Sequence, residues 1–346
     1  MNKKILVLDG ISGVPMGREI NEALQQLNIS SQYAAAADLK HKFFYKPASA
    51  FNKMIHKHIY DEDYYRHPKI SNQALLTLIK NTKPDIIFVI GFLYRFFDLK
   101  LIQQLKQEAH FKLYLYDTDS CNLFNSKREL VYFFTRELPV YDHIFSFSKT
   151  TTEFINKLSD LNASYFPFGA KAIPIVKIPK ENDILFIGSA DMRRIFLLEH
   201  LADHNLCIYG SKWQRNNELM SARLKNNIHY QSIWGNDLHT LLHQSKIILN
   251  ITRSTFYGVE TGLNLRIFET LAAGGFLLTD YCDELNDLFT IGKHIETYRD
   301  AEEMTDKVNY YLQHEDKRIK IAQNAYQHFR ENYSWETRMQ KLLSFF

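Results

Sequence analysis

Gly262-Leu-Asn-Leu-Arg266-Ile-Phe-Glu269-Thr-Leu-Ala-Ala-Gly274-Gly-Phe-Leu-Leu-Thr-Asp280 is the stretch on which the reading of this chain turns. Leu263, Ile267, Phe268 and Leu271 recur at helical spacing, so the segment predicts an amphipathic helix opening after Gly262. Gly274-Gly275 ends it, and residues 276–279 read as a short strand. A helix start presents unpaired backbone N–H groups and a partial positive charge, which together seat a phosphate. Here the N–H groups of Leu263 and Asn264 take that place. One turn further in, the Glu269 carboxylate is placed to accept hydrogen bonds from a ribose. Asn264, Arg266 and Glu269 lie off the apolar stripe. Arg266 and Glu269 stand at i, i+3, a spacing that equally suits a plain helix-surface ion pair. The stretch predicts half of a nucleotide-sugar site.

Outward from it, short apolar runs alternate with amphipathic ones, the pattern of βαβ units and a parallel sheet. Strands are predicted at 4–8, 31–35, 85–90, 112–116, 143–147 and 164–166, with helices at 18–27, 71–81, 99–108, 126–136 and 150–159. Residues 170–182, with two prolines and mixed charge, suit an extended linker. The alternation then restarts. Strands come at 184–187, 206–209, 228–231, 246–251 and 276–279, and helices at 192–204, 236–244, 263–273, 301–313, 317–332 and 335–343. The expectation is an α/β chain of two Rossmann-like domains facing a cleft, 1–169 and 183–332, with the linker 170–182 between them and a last helix in 333–346. Ligands in such sheets bind beyond the carboxyl ends of the strands.

Bulk properties agree. A chain of 346 residues is long for a single core. Lys and Arg total 42 against 39 Asp and Glu, and a net charge of +3 does not announce a nucleic-acid binder. Cys121, Cys207 and Cys282 have neither disulfide nor metal spacing, which fits a reducing compartment. The apolar run at the start is too short for a signal peptide, and the longest, 86–94, is too short to span a bilayer. A cytoplasmic protein is expected, with membrane association as an option.

Other constellations carry chemistry. Asp9-Gly10-Ile-Ser-Gly13-Val-Pro-Met-Gly17-Arg18 comes after the first strand, and its glycines allow close backbone approach to a ligand, or simply make a βα turn. It is not a dinucleotide fingerprint. Gly188-Ser189 and the early-helix Arg193-Arg194 read as a diphosphate clamp or as a solvated arginine pair. Tyr209-Gly-Ser-Lys-Trp213 offers flat aromatics to frame a nucleobase, or else core aromatics. Arg253, at the end of 246–251, faces phosphate or pairs with Glu260. Asp117-Thr-Asp119 stands after a strand and could hold a divalent cation. Residues 41–69 mix lysines, histidines and aromatics. His56-x-His58 on a helix would point to different faces, so the patch reads as an acceptor groove, a membrane-facing edge or bare surface, not a metal site.

The 263–280 stretch resembles the donor-domain motif of group 1 glycosyltransferases with the GT-B fold, closest in flavour to the CgeB-like branch. The likeness extends to Leu185-Phe-Ile-Gly188-Ser189, Tyr116-Asp-Thr-Asp119, Phe166-Pro-Phe-Gly169 and Tyr333-Ser-Trp335. It covers the second half well and the first half sparsely. The resemblance implies an N-terminal acceptor domain, a C-terminal donor domain and a final helix, 335–346, crossing back to the first domain. Glu269 matches the second glutamate of the family's Glu-x7-Glu motif, the ribose ligand. Eight places back stands Thr261 instead of the first glutamate, with Glu260 one residue away as a substitute.

The resemblance also implies a transferase with a UDP- or GDP-linked sugar donor and no required metal or cofactor. With the residue readings above, the expected donor-binding residues are Gly188, Ser189, Arg193, Tyr209, Arg253, Leu263, Asn264, Arg266 and Glu269, with Gly13 on the acceptor side. The acceptor is expected to be a glycan or lipid-linked saccharide, with nucleic acid not expected. If the reaction inverts, Asp119 is the candidate base. Two alternatives stand beside this: a metal-dependent transferase built on Asp117 and Asp119, and a non-catalytic scaffold with a degraded nucleotide pocket, for which Thr261 gives some footing.

Overall fold

A computed structural model describes residues 3–346 except 12, 59–66, 121–122, 124–125, 159 and 259–262. The chain divides into two compact units. One is Met1–Pro167 together with Met339–Phe346, and the other is Phe168–Arg338.

The first unit is built on six parallel strands: β1 Ile5–Asp9, β2 Ser31–Ala35, β3 Ile86–Ile90, β4 Lys112–Asp117, β5 His143–Ser146 and β6 Ala163–Tyr165. Their order is β2-β1-β3-β4-β5-β6. β1 and β3 are buried along their whole length, as strands covered on both faces must be. Asp9 ends β1 and is buried, accepting hydrogen bonds from Ile11 N–H at 2.7 Å and Tyr33 hydroxyl at 3.1 Å. A Cβ on Gly17 would lie 2.4 Å from Asp9 Oδ2, and one on Gly10 would lie 2.6 Å from the Phe92 carbonyl. Those two glycines serve packing within the unit. Gly13, with φ +88°, is exposed and its Cβ position is open.

The helix expected at 126–136 is regular only over Lys127–Tyr132 and widens into a π-helical turn, Phe133–Glu137. The turn delivers Glu137 into the interior. Its carboxylate accepts the N–H groups of Leu93 and Tyr94, both at 2.8 Å, and the Tyr141 hydroxyl at 2.7 Å. This carboxylate fixes the loop after β3. The helix Tyr45–Ile55 was not anticipated, because its apolar residues face outward.

The second unit also has six parallel strands: β7 Asn182–Ile187, β8 Leu206–Tyr209, β9 Ile228–His229, β10 Ser245–Asn250, β11 Leu277–Asp280 and β12 Glu296–Tyr298. The order is β12-β11-β10-β7-β8-β9. The unit's first strand, β7, lies between β10 and β8, so the winding reverses at the β7/β10 pair and the loops after these strands diverge. β12 escaped the sequence reading because it is only three residues, Glu-Thr-Tyr, without an apolar run.

Residues 171–181 form neither helix nor strand, and they belong to the second unit. Ile173 is buried and its carbonyl accepts the Tyr326 hydroxyl at 3.2 Å, while Glu181 N–H reaches the Gln244 carbonyl at 2.7 Å. The last helix is Trp335–Leu342. Its buried Trp335 donates its backbone N–H to the Ala170 carbonyl at 3.1 Å. The residues from Met339 onward belong to the first unit, where Phe346 stacks on Tyr114 with ring centroids 5.4 Å apart.

Burial pushes the Glu137 carboxyl up to about 7, against the three hydrogen bonds that pull it down. A carboxyl raised on folding binds its proton more tightly in the folded state. Its contribution to stability is therefore complete below its unfolded value near 4.5 and is lost as pH rises through about 7. The expected outcome is a thermal midpoint that falls from pH 4.5 to 8 in the wild type, by the equivalent of about 1–3 kcal/mol, with a flatter profile in Glu137→Gln. Parallel profiles for the two proteins would contradict this.

Candidate functional site

At the carboxyl ends of β7, β10 and β11, the second unit gathers most of the residues singled out in its sequence. The helix within 263–280 is Leu265–Ala272, and Asn264 is its N-cap. It therefore opens two residues later than expected. The Asn264 side chain accepts the Arg266 N–H at 3.0 Å, and the Asn264 carbonyl accepts that of Ile267 at 3.2 Å. Leu263 is buried just before the helix, and Asn264 caps it.

Asn264 also locks this helix start to the sheet. Its Nδ2 donates to Asn250 Oδ1 at 2.9 Å, and Asn250 Nδ2 donates to Thr279 Oγ1 at 2.9 Å. Next along the row is Asp280, the buried end of β11. Asp280 accepts the Thr252 N–H and hydroxyl, both at 2.9 Å, and the Arg193 guanidinium at 2.6 Å. Tyr298 closes the row from β12, donating to the Asn250 carbonyl at 3.0 Å. Asn250, Thr252 and Asp280 were not singled out as partners from sequence. The available signal was a polar residue ending an otherwise apolar strand.

Arg266 and Glu269 do form an ion pair, with Nη1 and Oε2 2.8 Å apart, but not on the surface. Their side chains are only 9% and 13% exposed. Trp234 covers the guanidinium, with its ring centroid 5.7 Å from Arg266 Cζ. The contact satisfies charge but not hydrogen-bond geometry. Arg266 Nε and Nη1 and Glu269 Oε2 are buried with no hydrogen-bond partner among the described residues. Burial pushes the Glu269 carboxyl up and the Arg266 charge pulls it back. A buried carboxylate with unused acceptor capacity is suited to the hydroxyls of an incoming ligand.

The two early-helix arginines have separate structural tasks. Arg194 is buried, donating to the Ile251 carbonyl at 2.9 and 2.7 Å and to the Ser189 carbonyl at 2.8 Å. It ties together the loops after β7 and β10. Burial holds its guanidinium down at about 10. Arg193 is bound to Asp280 and lies over the Tyr257 ring, 3.7 Å from its centroid. Neither is a solvated helix arginine. Arg253 is exposed, capping the short helix Ser254–Tyr257.

Gly188 sits against this lock, since a Cβ there would meet Arg194 Nη1 and Phe186 Cζ at 3.0 Å. Tyr209 stacks on His229, with centroids 4.5 Å apart. Trp213 does not frame a base: it is buried, and its Nε1 donates to the Gly188 carbonyl at 3.0 Å. Glu260, Thr261 and Gly262 lie outside the described residues, as does Cys121.

In the first unit, Asp117 is committed to structure. Oδ1 accepts the N–H groups of Asp119 at 3.2 Å and Ser120 at 2.9 Å. Oδ2 takes the hydroxyls of Ser120 and of Ser146, the latter at 2.8 Å. Four protein donors fill the lone pairs that a cation would need. Asp119 itself is half-buried. Among the described residues no group of three metal-ligating side chains comes together. No helix among the described residues is long and apolar enough to cross a membrane.

Residues 193–344 match a family described as glycosyl transferase-like. No curated protein sequence matches the chain. Many solved structures are similar, several of them over essentially the full length. A sucrose-phosphate synthase from Thermosynechococcus elongatus has 11% identity and a TM-score of 0.66, covering 99% of this chain and 98% of that one. A glycosyltransferase from Rickettsia africae has 13% identity and a TM-score of 0.63, covering 99% and 97%. Anabaena HepE in complex with UDP-glucose has 14% identity and a TM-score of 0.64, covering 99% of both chains. The fold is thus GT-B, and residues 193–344 are similar to a glycosyl transferase-like family.

The Asp280 row has a mechanical consequence. Asp280→Ala removes the acceptor of the Thr252 N–H and hydroxyl and the counter-charge of Arg193, which keeps only the Thr252 carbonyl at 3.0 Å, and is expected to cost about 3 kcal/mol or more in denaturant unfolding. Arg253→Ala, at an exposed position, is expected to change stability by less than about 0.5 kcal/mol. Equal effects of the two changes would refute the assignment of Asp280 as the lock.

Proposed function

We propose that the protein transfers a sugar from a UDP- or GDP-linked donor to a hydroxyl of a glycan or lipid-linked saccharide, and that it is of the CgeB-like branch. The observation that carries the donor reading is the buried Arg266–Glu269 pair in the first turns of a capped helix, whose Arg266 Nε and Nη1 and Glu269 Oε2 lack hydrogen-bond partners among the described residues. Glu269 takes the ribose hydroxyls. Gly188 and Ser189 bring the backbone close to the nucleotide, and Tyr209 with its stacked His229 offers a flat face for the base. Leu263 and Asn264 shape the approach to the helix. Gly13 stays our acceptor-side residue.

Transfer breaks the bond from the sugar's anomeric carbon to the diphosphate oxygen, which keeps the bonding electrons. The acceptor oxygen forms the new bond and gives up its proton. Negative charge grows on the leaving diphosphate, and fixed cations and dipoles stabilise it most where it develops. Arg253 is the favoured cation, because Asp280 already neutralises Arg193. For an inverting reaction, Asp119 is the proposed base. Because protein donors fill the lone pairs of Asp117, we assign the reaction no metal. A cytoplasmic protein in peripheral contact with a membrane is part of the same reading, since a lipid-linked acceptor lies at a bilayer surface.

Titration calorimetry with UDP and GDP tests the ribose assignment. One nucleotide is expected to bind, and Glu269→Gln is expected to weaken it about 100-fold, the worth of charged hydrogen bonds to two hydroxyls. Unchanged affinity in the variant would remove Glu269 from the site. Sugar release or transfer from a donor panel is expected to persist in EDTA, whereas a strict Mn²⁺ requirement would favour the Asp-x-Asp reading.

A further inference from the structure

Residues 40–58, Lys40-His-Lys-Phe43-Phe44-Tyr-Lys46-Pro-Ala-Ser-Ala-Phe51-Asn-Lys53-Met54-Ile55-His-Lys57-His58, contain five lysines and no acidic residue. The segment is fixed to the first unit. His41 bridges to Ile70, Lys42 N–H donates to the Lys69 carbonyl at 2.9 Å, and Arg128 donates to the Lys57 carbonyl at 2.9 Å. The Tyr45 ring stacks on His67 with centroids 5.8 Å apart. The helix Tyr45–Ile55 rests on Ser49, flanked by half-buried Tyr45, Ala48 and Asn52. Its other face is apolar and open to water. Phe51, Met54 and Ile55 are each more than half exposed, and Phe43 and Phe44 at its start are 88% and 69% exposed. Lys46 and Lys53, two turns apart, form a basic edge along this face.

The backbone adds a separate sign. Phe44 has φ +55°, a left-handed conformation unfavourable for a bulky side chain. The strain brings no burial. It presents Phe44 edge-on to Phe43, with ring centroids 4.3 Å apart, in solvent. Strain held at an exposed aromatic pair points to use.

We propose that this face docks the protein on an anionic lipid bilayer. Phe43, Phe44, Phe51, Met54 and Ile55 enter the boundary between headgroups and acyl chains, and Lys46 meets lipid phosphates. A protein partner fits less well, because the centres of protein interfaces are depleted in lysine, whereas a bilayer takes apolar rings and lysines side by side. The docking deepens the lipid-linked acceptor reading and rests on it for its purpose, not for its chemistry.

Partition of the full-length protein onto phosphatidylcholine vesicles, alone or mixed with phosphatidylglycerol, tests this. The mixed vesicles are expected to bind at least about tenfold more tightly. A Phe43→Ser, Phe44→Asn double variant is expected to lose about tenfold or more on the mixed vesicles. Asparagine accepts the left-handed backbone, so this variant is expected to keep its fold. Lys46→Glu is expected to reduce the preference for phosphatidylglycerol. Wild type that ignores both vesicles, or variants that bind like wild type, would overturn the proposal. So would self-association lost in the double variant without vesicle binding, because a second copy would then be the occupant. UDP affinity on the same preparations separates the two readings: failure of the donor assignment appears there and leaves vesicle binding unchanged.

Discussion

A row of side-chain hydrogen bonds crosses the carboxyl ends of β10 and β11, from Asn264 through Asn250 and Thr279 to Asp280, Thr252 and Arg193. The candidate donor site depends on it. Polar groups at the ends of buried strands are costly unless each finds a partner. Here they satisfy one another, and in doing so they fix where the helix Leu265–Ala272 begins. That start sets the position of Arg266 and Glu269 one turn later. Arg194 makes the corresponding lock on the other side of the switch point, holding the Ser189 and Ile251 carbonyls together.

This scaffold leaves one pair incomplete. Two ions taken out of water lose several kcal/mol of hydration each, and good hydrogen-bond geometry must offset that loss. Arg266 and Glu269 are close enough to offset charge but lack that geometry. The contrast with Asp117, whose oxygens have protein donors throughout, separates a carboxylate used for structure from one with capacity left for a ligand. Asp280 stands with Asp117 on the structural side.

Much of the fold was legible in sequence. The predicted strand positions of both sheets recur in the structure, because parallel strands covered on both faces are continuous apolar runs such as Ile86–Ile90. β12 was not legible, since Glu-Thr-Tyr carries no such run. The helix Tyr45–Ile55 was missed for the opposite reason, its apolar residues pointing to solvent instead of a core. The site was legible by residue and less so by role. Arg193 and Arg194 were recognisable as a pair, but only the partners Asp280 and Ile251, distant in sequence, show what each one holds. The same holds for Arg266 and Glu269. Spacing alone gives an ion pair, and burial under Trp234 turns it into something other than a surface contact.

A crystal structure of the protein with UDP tests the central claim most directly. The account expects the ribose hydroxyls within hydrogen-bonding distance of the Glu269 carboxylate, with the diphosphate directed toward Gly188, Ser189 and Arg253. Nucleotide seated elsewhere on the chain, with Glu269 still buried and untouched, would contradict it.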